Sequence, residues 1–191
     1  MGGNGCGCQP RMLIVDDTAF NLMALQQVLK SMFKIEAETA TDGSEAIEMF
    51  ERALARECGC RLRAYSMVFM DIQMPEVDGV TATKAIARLV RESEGEEAAP
   101  KVRGVGPIGA GTNAAKLRVL QDYEDLGEMV HIVALTAFSS LETMEECRAV
   151  GMKELLGKPL DAKLLKEAVF HHFYRHPRGE AEAMAKAKAA K

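Results

Sequence analysis

Polar residues that could bind ligands or take part in a reaction follow apolar segments at four places in this sequence. They are Asp16 and Asp17 after MLIV, Asp71 after SMVFM, Thr136 and Ala137 after VHIVAL, and Lys158 after KELLG. An isolated aspartate beside an apolar segment is typical of a helix cap or a turn. Because the pattern recurs along one chain, a shared site is the stronger interpretation.

The residue types in this set indicate phosphoryl chemistry. Clustered carboxylates repel one another, and a divalent cation such as Mg²⁺ relieves that repulsion. A lysine ammonium and a threonine hydroxyl both bind phosphate oxygens. An aspartate can itself accept a phosphoryl group as an acyl phosphate. Asp71, which ends an apolar strand, is the candidate nucleophile.

Five apolar segments predict the strands that would position these residues, and helical periodicities of three and four residues lie between them. Strands alternating with helices indicate a parallel sheet covered by helices on both faces. The carboxyl ends of parallel strands meet at one edge, where ligands bind. The predicted strands are 12–15, 34–39, 66–70, 130–135 and 153–156, and the second is predicted at the sheet edge.

Four motifs in this order resemble the receiver domain of two-component signalling proteins. They are LIVDD, MDIQMPEVDG, ALTA and GKP, and the resemblance covers about residues 11–174. It implies an α/β fold of the flavodoxin-like type, with a five-stranded parallel sheet in the order 2-1-3-4-5. It also implies a signalling domain that catalyses only its own phosphorylation and dephosphorylation.

The same resemblance implies a role for each matching residue. Asp71 would accept a phosphoryl group from a phosphohistidine donor, either a histidine kinase or a histidine phosphotransfer domain. Mg²⁺ would be bound by Asp17, Asp71 and the Gln73 carbonyl, with Asp16 acting through water. The groups implied to hold the phosphoryl group are Thr136, Lys158 and the backbone amides of Gln73 and Ala137.

Three positions refine the resemblance. Asn21 matches the asparagine that receivers of hybrid histidine kinases often carry, whereas Thr18 replaces their usual asparagine. Leu155 stands three residues before the lysine, where receivers usually have Tyr or Phe. We therefore expect phosphorylation to move the loop after Thr136 without the rotation of an aromatic ring.

Outside the motifs, the sequence divides into segments of distinct composition. Residues 1–10 form a Gly/Cys segment, 11–176 the receiver domain, and 177–191 an Ala/Lys-rich tail. An insertion at about 93–129 is far longer than an ordinary connection. It leads into the start of the fourth strand, at the edge opposite the site. We expect it to contact other parts of a larger kinase, and the sequence leaves open whether the receiver is free-standing.

Cysteines and histidines outside the motifs offer possible metal ligands. Two CGC pairs, Cys6 with Cys8 and Cys58 with Cys60, precede the first and third strands, which the predicted order makes neighbours. Four thiolates there could bind a structural Zn²⁺, and free thiols are the alternative. The histidines near the C-terminus are predicted to be solvent-exposed; they are His171, His172 and His176.

Composition excludes several classes of protein. The net charge of −4 argues against nucleic acid as a partner. No apolar run reaches the roughly 20 residues of a membrane span, so direct membrane contact is not expected. The first residues lack the basic start and apolar stretch of a signal peptide. The predicted location is cytoplasmic.

Two alternatives come from other functional classes. The first is an interaction module that retains the receiver scaffold and no longer depends on phosphorylation. The second is a phosphatase of the haloacid dehalogenase type, which also uses an aspartate nucleophile. That class needs an acid two residues after the nucleophile, where this chain has Gln73.

Overall fold

The computed structural model of the chain describes residues 9–55, 64–93, 130–137, 140–152 and 154–174. Within these ranges, strands and helices alternate from the first strand to the last helix. The strands are β1 (Met12–Val15), β2 (Glu38–Ala40), β3 (Met67–Asp71), β4 (His131–Thr136) and β5 (Glu154–Gly157).

The five strands form one parallel sheet in the order β2-β1-β3-β4-β5, which confirms the predicted fold and topology. β1 and β3 are buried along their whole length, as expected for strands covered on both faces. β2 lies at one edge, as the sequence predicts, and β5 lies at the other. Because the strands are parallel, their carboxyl ends all lie at the same edge of the sheet.

In the described part of the chain, five α-helices connect or follow these strands. They are α1 (Ala19–Phe33), α2 (Gly43–Leu54), α3 (Gly79–Ser93), α4 (Leu141–Ala149) and α5 (Ala162–Ala168), and a π-helical turn (Val169–Tyr174) continues α5. Side-chain caps define four of the starts, because Asp42, Asp78, Ser140 and Asp161 each accept a hydrogen bond from a backbone amide in the first turn.

Alternate side chains of the sheet contribute to two hydrophobic cores. Leu13, Val68 and Ala134 pack on the face covered by α2, α3 and α4. On the opposite face, Ile14 and Phe69 pack against α1 and α5. This two-sided packing fixes the strand ends relative to one another, because a slip of one residue would exchange the two sets of side chains.

The second strand is shorter than predicted, and the prediction of 34–39 is wrong at its start. Lys34 ends α1 in the left-handed conformation, and the Ile35 amide donates to the Leu29 carbonyl at 3.4 Å. Ile35 and Ala37 are buried, which produces the alternating pattern of a strand. Their backbone lies before the ladder, which pairs Glu38 with Leu13.

The histidines of the last helical turn differ in their environment. His171 is exposed, as predicted. His172 is only 13% exposed, so its prediction as a solvent-exposed residue is wrong. Its ring lies 4.8 Å from the His131 ring, and its Nε2 atom lies 3.2 Å from Glu154 Oε2. His176 lies outside the described residues.

Several predictions concern residues that the structure does not describe. Cys6, Cys8, Cys58 and Cys60 are among them, although the starts of β1 and β3 are neighbours as the zinc hypothesis requires. Most of the insertion (94–129) and the tail (177–191) also lie outside the described ranges. Among the helices of the described ranges, none is long and apolar enough to cross a membrane. The cytoplasmic location stays a prediction.

Candidate functional site

The polar residues identified in the sequence lie at the carboxyl edge of the sheet. Asp71 is the last residue of β3 and pairs with Leu135 of β4. One residue further along β4, Thr136 pairs with Gly157 of β5, which Lys158 follows. Asp16 follows β1, the other neighbour of β3. The sheet thus brings four chain segments to one place.

The Asp71 carboxylate is buried and contacts two donors. Its Oδ1 atom accepts a hydrogen bond from the Gln73 backbone amide at 3.1 Å, and its Oδ2 atom accepts one from Lys158 Nζ at 2.6 Å. Burial raises the pKa of Asp71 above the ordinary value of 3.8, although both donors act in the opposite direction. The two hydrogen bonds therefore hold the carboxylate in place, but they offset only part of the cost of burying its negative charge.

Lys158 bridges the two buried carboxylates of the site. Its Nζ atom lies 2.6 Å from Asp71 Oδ2 and 2.6 Å from Asp16 Oδ2. Burial alone would lower the pKa of Lys158, but the hydrogen bonds and charges of Asp16 and Asp71 outweigh it and raise the pKa. Lys158 is consequently a permanent cation beside Asp71.

The Lys158 side chain projects from a constrained loop. The Lys158 backbone amide donates to the Thr136 carbonyl at 2.7 Å, and the Lys158–Pro159 peptide bond is cis. The amide contact ties the end of β5 to the end of β4, next to Asp71 on β3. The position of the ammonium is therefore linked to the sheet itself.

Asp16 and Asp17 differ in burial although they are adjacent. Asp16 is 1% exposed and accepts a hydrogen bond from the Thr18 backbone amide at 2.9 Å. Asp17 is exposed, and its Oδ1 atom accepts from the Thr18 hydroxyl at 3.2 Å. Neither residue is the N-cap of α1, which is Thr18. Their side chains are thus available to the site.

One oxygen from each of three aspartates forms a set that could hold a metal ion. The carboxylates of Asp16, Asp17 and Asp71 offer atoms that all lie within 4.8 Å of one another. Hard carboxylate oxygens, with an exposed member that leaves room for water, suit Mg²⁺. Asp17 and Asp71 fit direct ligation best, because the oxygens of Asp16 already accept several protein donors.

A loop formed by residues 72–78 connects Asp71 to α3. The Gly79 amide donates to the Ile72 carbonyl at 3.3 Å. A Cβ atom on Gly79 would lie 2.2 Å from the Asp71 backbone oxygen, which is far below any normal contact. Glycine at position 79 therefore allows α3 to begin directly against the strand that carries Asp71.

Thr136 and Ala137 occupy the end of β4. Thr136 is fully buried, and Ala137 is exposed. Residues 138–139, which follow, lie outside the described ranges. Thr136 therefore lies at the same edge as Asp71 and next to the Lys158 segment, in the place where a phosphate ligand is expected.

Comparison with known proteins agrees with this geometry. Residues 12–94 match the family model described as the response regulator receiver domain. This chain carries a receiver domain. Osmosensing histidine protein kinase SLN1 of Saccharomyces cerevisiae is 31% identical over 160 residues, which cover 82% of this chain and 9% of the kinase. The chain spans only 9% to 26% of the length of the first three curated relatives.

Two solved structures share the fold of the receiver domain. The receiver domain of the histidine kinase CKI1 from Arabidopsis thaliana, complexed with Mg²⁺, has a TM-score of 0.58 and 24% identity, and the alignment covers 83% of this chain and 91% of that one. The second is the co-crystal structure of the Saccharomyces cerevisiae phosphotransfer protein Ypd1 with the receiver domain of Ssk1. Its TM-score is 0.57, with 22% identity, 86% coverage of this chain and 89% of that one.

One contact of the receiver domain was not anticipated from the sequence. The side-chain amide of Asn21, in the first turn of α1, donates to Asp16 Oδ1 at 2.9 Å and to Asp16 Oδ2 at 3.1 Å. The sequence identifies Asn21 only as a feature of hybrid-kinase receivers. Its spacing of five residues from Asp16, across a helix start, was the available signal.

Leu155 lies on β5 opposite Ala134 and packs against the core on the α2–α4 face of the receiver domain. It is partly buried. An aliphatic side chain therefore occupies the position where receivers usually carry an aromatic residue. The expectation of a response without ring rotation stays a prediction.

Proposed function

We propose that this receiver domain accepts a phosphoryl group on Asp71 from a phosphohistidine and changes conformation as a result. The observation that carries the proposal is the arrangement of Asp71, Lys158 and Asp17. A buried carboxylate lies 2.6 Å from a fixed ammonium, and an exposed carboxylate within 4.8 Å completes a metal-binding set. Nucleophile, cation and metal ligands are thus assembled before any donor arrives.

The transfer is a direct displacement at phosphorus. A carboxylate oxygen of Asp71 forms the new P–O bond while the P–N bond to the imidazole breaks. The electron pair of the P–N bond stays on the imidazole, which leaves as the neutral ring when its other nitrogen carries a proton. The protein contributes position and charge neutralisation rather than proton transfer.

Each residue of the site has a proposed part in this step. Lys158 neutralises charge on the phosphoryl oxygens, and its fixed location beside Asp71 requires no reorganisation. The Thr136 hydroxyl and the amides of Gln73 and Ala137 would bind the same oxygens. Of these, the Gln73 amide already donates to Asp71.

Mg²⁺ fits the donor set and would be held by Asp17, Asp71 and the Gln73 carbonyl, with Asp16 acting through water. When bound, Mg²⁺ neutralises the repulsion between the carboxylates and the incoming phosphoryl oxygens. Burial, together with the negative charge of Asp16, also raises the pKa of Asp71. A cation that relieves both would favour the ionised, nucleophilic form.

The donor follows from the chemistry and from the relatives. A histidine kinase or a histidine phosphotransfer domain presents the phosphohistidine, and the Ssk1 receiver domain has been crystallised with such a protein, Ypd1. The acyl phosphate then shifts a conformational equilibrium, because one state offers its oxygens more complete coordination. Apart from its own phosphorylation and dephosphorylation, the domain catalyses no reaction.

Phosphoryl transfer from a phosphorylated histidine phosphotransfer protein tests the proposal. We expect label to move to the wild-type chain in Mg²⁺ and to be absent from Asp71→Asn. Asp78→Asn is the matched control, since Asp78 is exposed and follows Asp71 in the same connection to α3. Asp78 caps α3 by accepting a hydrogen bond from the Thr81 amide, which asparagine can also accept. Label that persists in Asp71→Asn, or no label in wild type, would contradict the proposal.

A further inference from the structure

Asp16 is surrounded by donors from three parts of the chain. Its Oδ1 atom accepts from the Thr18 amide at 2.9 Å and from Asn21 Nδ2 at 2.9 Å. Its Oδ2 atom accepts from Asn21 Nδ2 at 3.1 Å and from Lys158 Nζ at 2.6 Å. Because Asn21 alone among these donors contacts both oxygens, it determines the plane of the carboxylate.

The position of Asn21 on α1 explains why its amide reaches Asp16. Asn21 is the third residue of the helix, where a longer Glu or Gln would return to the N-cap residue in a capping box. The N-cap, Thr18, makes no side-chain capping bond, and its hydroxyl instead contacts Asp17. The first turn of α1 is therefore directed toward the site rather than toward its own cap.

We infer that Asn21 is a positioning residue for the phosphoacceptor site, an inference that rests on the proposed function. By fixing the Asp16 carboxylate, Asn21 directs Oδ2 toward Lys158, and Lys158 in turn lies against Asp71. Its amide also places partial positive charge beside a buried anion in a cluster of three carboxylates. Asn21 touches neither the nucleophile nor the phosphoryl group.

Without this amide, the Asp16 carboxylate loses the donor that spans both oxygens and can rotate away from Lys158. The Asp16 carboxylate is then less well placed relative to Asp17 and Asp71. We expect two consequences. Mg²⁺ should bind more weakly, and the protons of the Lys158 ammonium should exchange faster with water.

Asn21→Leu removes the donor and keeps a side chain of similar size. The matched control is Gln26→Leu, because Gln26 lies on the same helix and its amide donates a structural bond of 2.8 Å to the Ala37 carbonyl, away from the site. We expect Asn21→Leu to weaken Mg²⁺ binding about tenfold, the effect of losing one hydrogen bond to a charged group. Gln26→Leu should leave Mg²⁺ binding unchanged.

Titration calorimetry with Mg²⁺ measures the affinity, and proton exchange at Lys158 Nζ, followed by ¹⁵N NMR, reports on the ammonium directly. Faster exchange in Asn21→Leu than in Gln26→Leu is the expected result, since general destabilisation would affect both variants. Asn21→Ala provides a second donor-free variant with high helix propensity, in case leucine perturbs folding. It should show the same loss of affinity.

Wild-type Mg²⁺ affinity in both Asn21 variants would overturn the inference, as would an equal loss in Gln26→Leu. The proposed function fails separately, if wild-type protein accepts no phosphoryl group on Asp71. A wild-type chain that is phosphorylated, together with Asn21 variants that bind Mg²⁺ normally, rejects the positioning role and leaves the proposed function intact.

Discussion

Among the individual residues, Asp71 carries the largest conflict between folding and function. Its carboxylate is buried beside Asp16 and near Asp17, and among the described residues only Lys158 supplies a full opposing charge. Burial therefore raises its pKa, so that the ionised form lowers the stability of the folded chain at neutral pH. The same ionised form is required of a nucleophile.

Asp71→Asn should accordingly stabilise the protein when Mg²⁺ is removed. Asparagine buries no charge, its one acceptor oxygen can keep the hydrogen bond from the Gln73 amide, and the Lys158 ammonium keeps Asp16 as a partner. We expect the free energy of unfolding to rise by about 1 kcal/mol at neutral pH, measured by urea denaturation with circular dichroism.

The sign of the pH dependence follows from the raised pKa. As pH falls through the folded-state pKa and below 3.8, the wild-type carboxyl becomes protonated in the folded and then the unfolded state. The advantage of Asp71→Asn should therefore shrink in acid. An advantage that grows as pH falls would mean that the folded state lowers the pKa of Asp71.

Magnesium should stabilise the wild-type chain through the aspartate set. At about 100 times its dissociation constant, Mg²⁺ adds about 2.7 kcal/mol to the free energy of unfolding. Asp17→Asn should remove most of this increment, because it loses an exposed ligand of the set. Thermal unfolding at a series of Mg²⁺ concentrations measures the effect. Equal stabilisation of wild type and Asp17→Asn would exclude Asp17 as a ligand.

The residues of the site could largely be predicted from the sequence, because each follows an apolar strand and parallel strands end at one edge. The structure places Asp16, Asp71 and Lys158 in direct contact there. The contact of Asn21 with Asp16 could not be predicted in the same way. It depends on the angle at which α1 leaves β1, which no spacing along the chain specifies.

At the scale of elements, the connection between β3 and α3 controls the position of Asp71. Gly79→Ala would place a Cβ atom 2.2 Å from the Asp71 carbonyl oxygen, so the strand end or the helix must shift. We expect a loss of about 1–3 kcal/mol in stability, together with slower phosphorylation.

Gly157→Ala is the control for this substitution. Gly157 precedes Lys158, and a Cβ atom there would have no neighbour within 4 Å. Its stability and phosphorylation should stay near wild type, measured by denaturation and by phosphoryl transfer. If the two alanine variants behave alike, close packing at Gly79 does not position Asp71.

The element best placed to respond to phosphorylation is α4. Cys147 is its buried residue, whereas Leu141 at its start is 80% exposed. Because few apolar groups hold the helix, its displacement costs little. Leu155 lies beside α4 and packs against the same core. We expect movement at Thr136 to reach this surface through aliphatic packing.

Beryllofluoride, a phosphate mimic, tests this response by NMR. In Mg²⁺ we expect shifts for the amides of the loop after Thr136 and for the Leu155 methyl groups, without slow rotation of a ring. If Leu155 and residues 137–141 keep their free-state chemical shifts and structure, both motions are excluded.

The elements were predictable where burial and hydrogen bonding coincide and less so where they separate. β1 matches its prediction because Met12 to Val15 are all buried and all paired. At β2, Ile35 and Ala37 are buried without belonging to the ladder, so a hydrophobic pattern extended the strand too early. A pattern of buried residues shows only where side chains lie. Membership of a strand also requires that the backbone forms hydrogen bonds with a neighbouring strand.

At the scale of the whole molecule, the candidate site lies at one edge of the sheet, and the insertion is joined to β4 at the opposite edge. Asp71 ends β3 on the carboxyl side, whereas the 93–129 segment enters β4 at its amino end. The two CGC pairs also precede strand starts on that opposite edge. We therefore expect any contacts of the insertion with other parts of a larger protein to leave the site free.

Deletion of residues 95–127 should therefore spare phosphorylation of Asp71. Helix α3 ends at Ser93 and β4 begins at His131, so a short connection remains between them. Phosphoryl transfer at a rate near that of wild type is the expected result. A folded deletion variant that no longer accepts phosphate would contradict the separation of the insertion from the site.

Zinc analysis of the purified, reduced protein addresses the CGC pairs in the same molecule. The hypothesis of a structural Zn²⁺ at Cys6, Cys8, Cys58 and Cys60 predicts metal that is lost when these residues are replaced by serine. If the protein purified under reducing conditions contains no zinc, the zinc hypothesis is wrong. That outcome has no consequence for Asp71.

Chemical trapping of the acyl phosphate tests directly whether Asp71 is the phosphoacceptor. The wild-type chain is incubated with acetyl phosphate and Mg²⁺, reduced with borohydride, and digested for peptide mass spectrometry. Reduction converts an aspartyl phosphate to homoserine, so we expect homoserine at position 71, dependent on Mg²⁺ and absent without acetyl phosphate. Unmodified aspartate at position 71, or homoserine at another aspartate instead, would contradict it.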